Sequence, residues 1–313
     1  MGEKAQLEGG APDFGLPLQR FGDSKSHVHT KMKTFALRSA LFLAVLTLRG
    51  ASSGGEGDAS QIDGFRDTPM LPGGQWHVHD PDRPQPRVVT PGASFSQNAP
   101  APSDAEMLFN GADLSKWQDS SGGEAKWKVQ DGYVEVTRGG GIRTRGRWAD
   151  FQLHVEWAAP VPATGSGQGR GNSGILINGM YEVQVLDSYQ AKTYPDGQAG
   201  AIYGQSPPLV NASKPPGEWQ SYDIIFESPR WDEKGNLIKK ACATVLHNGV
   251  VVQNHYELIG CTDGISSVVP WKSLSKYPPP HQPEVFIELQ EHGANPVRYR
   301  NIWIRPLGES GPA

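Results

Sequence analysis

Three stretches of the chain set acidic, amide and imidazole side chains two residues apart on an alternating background. They are Tyr181-Glu182-Val183-Gln184-Val185-Leu186-Asp187, His154-Val155-Glu156 and Glu288-Leu289-Gln290-Glu291-His292. In an extended strand residues i and i+2 point the same way. Glu182 therefore shares a face with Gln184, His154 with Glu156, and Glu288 with Gln290 and His292. Asp187 is five residues after Glu182 and falls on the other face of a regular strand. A single β-bulge at Val185-Leu186 would bring it back beside Glu182 and Gln184, near His292 and Glu156. Two carboxyls and an imidazole in one groove can perform general acid–base chemistry. Such a cluster could also hold a divalent cation, Ca²⁺ if the donors are oxygens, Zn²⁺ or Mn²⁺ if histidine joins them. No residue is assigned as a metal ligand. A solvated strand face would explain each carboxylate singly; three polar faces together point to a site.

The elements that must carry these residues read as strands. Phe151-Gln152-Leu153-His154-Val155-Glu156-Trp157 alternates apolar and polar throughout, and Tyr222–Phe226 and Val285–Gln290 are similar in kind. Ala241–Leu246 and Val251–Tyr256 flank His247-Asn248-Gly249-Val250, where Asn-Gly supplies the positive φ angles of a tight hairpin turn. Asp113–Trp117 offers one helical turn, and no stretch keeps a helical period over ten residues. Many strands and hardly any helix over 104–307 predict an all-β protein, a two-sheet jelly-roll β-sandwich. Residues 308–313 are a tail.

Composition agrees. The 313 residues include 38 Gly and 26 Pro, too many for a helical bundle. There are 33 acidic and 29 basic residues, a net charge of −4, which excludes a nucleic-acid binder that must neutralise phosphates. Mean hydropathy is −0.49 and no apolar run reaches about 18 residues, so no transmembrane anchor is expected. Two cysteines, Cys242 and Cys261, are too few for a disulfide scaffold.

The first hundred residues differ from the rest. Met32 to Arg38 is basic, Ser39–Leu48 is a short apolar core, and Ala51-Ser52-Ser53 supplies a cleavage site: residues 32–53 form the pattern of a signal peptide. The expectation is that translation truly starts at Met32, that 1–31 is an unstructured upstream extension, and that the exported protein begins between about Gly50 and Gly57. Residues 54–103 are rich in Gly, Ser, Pro and Asp and read as a linker or lead-in. Within it His77-Val78-His79 sets two imidazoles on one face without a third ligand nearby. Docking of Trp76 onto the following domain is the expectation there.

The E-x-Q-x-x-D spacing of Glu182, Gln184 and Asp187 is similar to the E-x-D-x-x-E strand of jelly-roll β-glucanases. Longer strings are more specific. Leu108-Phe109-Asn110-Gly111 with Trp117, Gly171-Asn172-Ser173-Gly174, Tyr181–Ser188 and Gly200-Ala201-Ile202-Tyr203 are followed by Pro216–Gln220. Leu289-Gln290-Glu291-His292-Gly293 and Arg298–Trp303 close the series. Over residues 104–307 these strongly resemble the 3-keto-disaccharide hydrolase domain family. Departures are Gly141 where Asp is usual, Cys261 at a proline position, and Ala294 as an insertion.

The resemblance implies a concanavalin-A-like sandwich, export from a bacterial cell, and hydrolysis of 3-keto-glycosides. A ketone at C3 acidifies the C2 proton, so cleavage can run by elimination and rehydration. Asp187 and Glu182 are then the base and acid candidates, in either order, and His292 could steady the enolate or shuttle a proton. Gln184, Asn172, Gln290 and Glu156 could fix hydroxyls, Arg298 or Arg300 could counter the enolate charge, and Trp157 and Tyr203 could stack on sugar faces. Two other functions fit the same residues: an ordinary two-carboxylate glycosidase, or a non-catalytic lectin-like or laminin-G-like module. The expected partner is an oligosaccharide or glycoside.

Overall fold

Period-two alternation builds the protein. In the strand that begins at Phe151, the side chains of Phe151, Leu153, Val155 and Trp157 are all sealed from solvent in the core. Their polar neighbours Gln152, His154 and Glu156 necessarily face the other way. The computed structural model describes residues 63–93, 96–293 and 295–308, all within the compact unit Gly57–Ala313. The expectations for 1–31 and 32–53, and the Ala294 insertion, lie outside the described residues.

The strands run β1 (Arg87–Val88), β2 (Glu106–Phe109), β3 (Trp117–Asp119), β4 (Lys128–Gln130), β5 (Tyr133–Glu135) and β6 (Ile142–Thr144). Next are β7 (Phe151–Ala158), β8 (Ser173–Ile177), β9 (Tyr181–Val185), β10 (Val210–Asn211) and β11 (Gln220–Glu227). Then come β12 (Arg230–Trp231), β13 (Leu237–Lys239), β14 (Cys242–His247), β15 (Val250–Glu257), β16 (Ile287–Leu289) and β17 (Arg298–Pro306). An eight-stranded sheet has the order β15-β14-β11-β7-β17-β5-β4, with β2 also beside β17. A five-stranded sheet has the order β3-β6-β16-β8-β9. All pairs within both are antiparallel. The two-sheet, all-β sandwich expected from the alternation is what forms.

The sheets meet in one core, where Leu153, Val155, Tyr222 and Ile224 of one join Ile175, Ile177, Val183 and Ile287 of the other. Fully burying each such aliphatic is worth about 1.5–3 kcal/mol. Two hydroxyls bridge the layers: Tyr299 donates to Ser173 Oγ at 2.7 Å, and Tyr222 donates to the Gln184 carbonyl at 2.8 Å. Each spares a buried polar group the cost of going unpaired.

Local signals held with two adjustments. Asn248 and Gly249 take φ of 52° and 77°, as the hairpin requires. Register shifts further along the hairpin place Cys242 opposite Glu257, where an unshifted register from the Asn248-Gly249 turn would put His255. Both cysteines are buried free thiols. Asp113–Trp117 forms a turn, with the Trp117 N–H donating to the Leu114 carbonyl, that leads into β3 instead of a helix.

The lead-in also differs from a linker that buries little. Met70 and His77 form a bridge, and Val78, His79 and Asp80 are buried. Trp76 is half-buried; the residues that dock most deeply are its successors.

Candidate active site

The face of the five-stranded sheet turned away from the core carries a cleft of about 240 Å³. On β9, Tyr181, Val183 and Val185 fill the core, so Glu182 and Gln184 face outward. On the neighbouring β8, Gly174 stands opposite Gln184, and its lack of a side chain is what lets the Glu182 carboxyl lie across the strand. A Cβ built there would collide with Glu182 Oε1. Gln290 continues the outward parity of β16, its N–H held by the Gly174 carbonyl at 3.0 Å. Asn172 precedes β8. Tyr203, Asp263, Trp271 and His292 complete the lining.

Among the described residues, no hydrogen-bond donor reaches four buried oxygens of this cleft: Asn172 Oδ1, Gln184 Oε1, Asp263 Oδ1 and Gln290 Oε1. The amide nitrogens of Asn172 and Gln184 are already engaged, donating to the Gln168 carbonyl at 2.7 Å and to Gln168 Oε1 at 3.1 Å. Buried acceptors left open in this way call for a donor that the protein does not supply. Among the described residues no group of three or more His, Cys, Asp or Glu is arranged to hold a metal ion.

Two carboxyls in the cleft have contrasting surroundings. Glu182 is 2% exposed, and no side-chain partner for its carboxyl is found among the described residues. Burial, reinforced by the charge of Asp263 and opposed by that of His79, pushes it up to about 8, so it is a neutral acid at neutral pH. Asp263 Oδ2 instead accepts from the Lys272 backbone N–H at 2.7 Å and faces His79 Nε2 at 3.2 Å. Trp271, 56% exposed, presents an apolar face at the mouth.

Of the residues singled out in the sequence, the structure brings Asn172, Glu182, Gln184, Tyr203, Gln290 and His292 together. It does not bring Asp187 with them. β9 ends at Val185 with regular pairing to β8, and no bulge forms. The Asp187 carboxylate is taken by Arg170 Nε at 2.7 Å and by the Tyr189 N–H at 3.2 Å. Glu156 lies on the outward face of the other sheet, buried under residues 96–99. It accepts from Arg300, Asn301 and the Asn98 N–H. Burial would raise its carboxyl, but the His154 imidazole 3.6 Å away and hydrogen bonds from Asn301, Asn98 and Arg300 hold it down at about 2. Arg300 is thereby a structural partner of Glu156, and it stacks 4.1 Å from the Trp219 ring centroid. Arg298 lies over Tyr133. Trp157 cannot be a platform, because it is wholly buried between Tyr222 and His247. Asp263, Trp271 and His79 were not among the sequence candidates. Only His79 carried a signal, in the unusual His-x-His of the lead-in.

Comparison with known proteins completes the picture. No curated protein matches the chain. A solved structure from Parabacteroides distasonis, described as a candidate glycosyl hydrolase, is 45% identical; it covers 76% of this chain and 100% of its own, with a TM-score of 0.62. Two others from that organism with the same description are 20% and 24% identical, with TM-scores of 0.47 and 0.45. They cover 67% and 65% of this chain and 99% of their own, and the assignment does not rest on them. No helix among the described residues is long and apolar enough to cross a membrane. The family model described as the 3-keto-alpha-glucoside-1,2-lyase-like domain matches residues 104–305, well over half the length, and the chain therefore belongs to the 3-keto-disaccharide hydrolase family.

Proposed function

We propose that the protein cleaves 3-keto-glycosides by elimination across C1–C2 followed by hydration, with Asp263 as base and Glu182 as acid. The observation that carries the reading is the pairing, in one cleft, of a buried neutral carboxylic acid with a carboxylate that already accepts hydrogen bonds. A carboxyl that its surroundings keep protonated is fitted for the acid role. Asp263 Oδ1 takes the C2 proton, and the electron pair delocalises onto O3 as an enolate. His292 at the rim donates to that oxygen. The enolate then expels the C1 substituent while Glu182 protonates the departing oxygen, leaving a C1=C2 double bond conjugated to the ketone. Water adds its hydroxyl to C1 and a proton to C2, so the net change is hydrolysis. The open oxygens of Asn172, Gln184 and Gln290 accept from sugar hydroxyls, and Trp271 and Tyr203 offer ring faces.

Purified protein should cleave a 3-keto-glucoside, leave the parent glucoside intact, and exchange the C2 proton with solvent deuterium. Asp263→Asn should suppress exchange and cleavage together, and Glu182→Gln cleavage more than exchange, each by about 10²–10⁴-fold. Equal turnover of the parent glucoside would establish a two-carboxylate glycosidase instead. Sugar binding without turnover of either would establish a lectin-like module. The signal-like residues 32–53 support export as part of the same reading, and N-terminal sequencing of exported protein that recovered residues 1–31 would overturn it.

A further inference from the structure

His79 lies outside the stretch that matches the family, yet its side chain is 0% exposed and abuts the cleft. Its φ of 58° is uncommon for a residue with a Cβ. The backbone is fixed on both sides. The His79 N–H donates to Asp196 Oδ2 at 2.9 Å, and its carbonyl accepts from the Phe65 N–H at 2.8 Å. The ring is hydrogen-bonded at one nitrogen and faces a second carboxylate at the other: Nε2 is 3.2 Å from Asp263 Oδ2, and Nδ1 lies 3.4 Å from Asp196 Oδ1 without hydrogen-bonding alignment. The Tyr194 and Tyr203 rings lie 4.3 and 4.8 Å away by centroid, and Phe65 closes the edge. Even Gly204 is part of the enclosure, since a Cβ there would run into Asp263 Oδ1 and come within 3.3 Å of His79 Cε1.

An imidazole with a carboxylate oxygen before each nitrogen is favoured electrostatically as the imidazolium, the form that carries a proton on both. Two buried carboxylates in turn need a cation between them. We propose that His79 is a positioning residue of the cleft: as an imidazolium bridging Asp196 and Asp263, it fixes the Asp263 carboxylate and supplies the positive charge that Glu182 faces. The role in turnover rests on the assignment of Asp263 and Glu182 as base and acid. Burial would lower His79, but the close Asp196 carboxylate and the hydrogen-bonded Asp263 carboxylate raise it to about 9. The charged groups around it come from every packed element. Asp196 follows Tyr194, Asp263 sits in the loop after β15, and Glu182 is on β9. Arg83 of the lead-in faces Asp196. The Lys272 ammonium lies over the Phe65 ring, 3.6 Å from its centroid.

The full-length chain, labelled with ¹⁵N in histidine and ¹³C in glutamate carboxyls, gives a test that needs no substrate. His79→Gln and Glu182→Gln identify the two resonances. Both ring nitrogens of His79 should carry protons from neutral pH up to about 9, and in His79→Gln the Glu182 carboxyl should titrate at higher pH than in the wild type. Asp196→Asn, nearly isosteric, should bring the His79 titration down and serves if His79→Gln does not fold. On a 3-keto-glucoside, His79→Gln should lower kcat by roughly ten- to a hundredfold, change KM little, and move the alkaline limb of the pH profile upward. A neutral His79 ring at pH 7 would overturn the proposal. So would lost activity with the Glu182 titration and alkaline limb unmoved, the outcome of a merely structural role. The expected titrations in a wild type that fails to cleave the 3-keto-glucoside would overturn the reaction assignment and leave the His79 bridge standing.

Discussion

Gly174 of β8 lies directly beneath the Glu182 carboxyl of β9, and the space a methyl group would need is occupied by Glu182 Oε1. The backbone of Gly174 is not in the left-handed region, so space alone makes glycine necessary there. Gly174→Ala should therefore displace the acid with little effect on the strand. Stability should fall by about 1–3 kcal/mol, and kcat on a 3-keto-glucoside by up to roughly a hundredfold. Denaturant melts beside steady-state kinetics check both. Full activity in this variant would place the acid elsewhere.

Glu182 also makes stability depend on pH. Its carboxyl is raised from 4.5 in the free side chain to about 8 in the folded protein. Between those values the unfolded chain has released the proton that the folded protein still holds, so stability falls as pH rises across this window. Below about 4.5 both states are protonated and the effect is absent. Glu182→Gln removes it. The variant's denaturant midpoint should thus gain on the wild type between pH 5 and pH 8. Parallel pH dependences would show that Glu182 is ionised in the fold.

Glu156 works in the opposite direction. Held near 2, it contributes stability that is fully present above about 4.5 and is lost as pH falls towards 2. Glu156→Gln should cost about 2 kcal/mol at pH 7 by weakening charge-assisted bonds to Arg300 and Asn301, and flatten the acid side of the stability curve. Its kcat/KM, measured well below the melting temperature, should stay close to wild type. A large loss of turnover in folded protein would bring Glu156 back into the site.

Trp271 is the exposed aromatic of the cleft. Trp271→Ala should raise KM up to about tenfold, matching the 0.5–1.5 kcal/mol typical of a ring contact, while the melting temperature stays nearly constant. Unchanged binding by calorimetry would exclude it as a sugar platform.

These expectations show what was legible in the chain and what was not. Alternation in Phe151–Trp157 and the Asn248-Gly249 turn are local, and both appear as read. The shared face of Glu182 and Gln184 was equally local. Parity, however, tells only which side of its own strand a residue takes. It could not say that β7 and β9 belong to different sheets, with Glu156 and Glu182 on the two outer faces of the sandwich. Nor could it foresee that Arg170 would claim Asp187. Asp263 sits in a stretch without strand pattern, and its partner His79 is 184 positions away. Contacts of that range depend on the closed fold and leave no periodic trace.

Every second residue of β9 belongs to the interior and every other one to the cleft: Tyr181, Val183 and Val185 alternate with Glu182 and Gln184. The strand is thus a rigid linkage between two compartments, and a shift of a fraction of an ångström in the packing on one side is transmitted to both polar side chains on the other. Selection for faster turnover would not stop at the lining. Directed evolution of this protein should accumulate substitutions at Val183 and at its cross-strand neighbour Ile175, neither of which can touch a sugar.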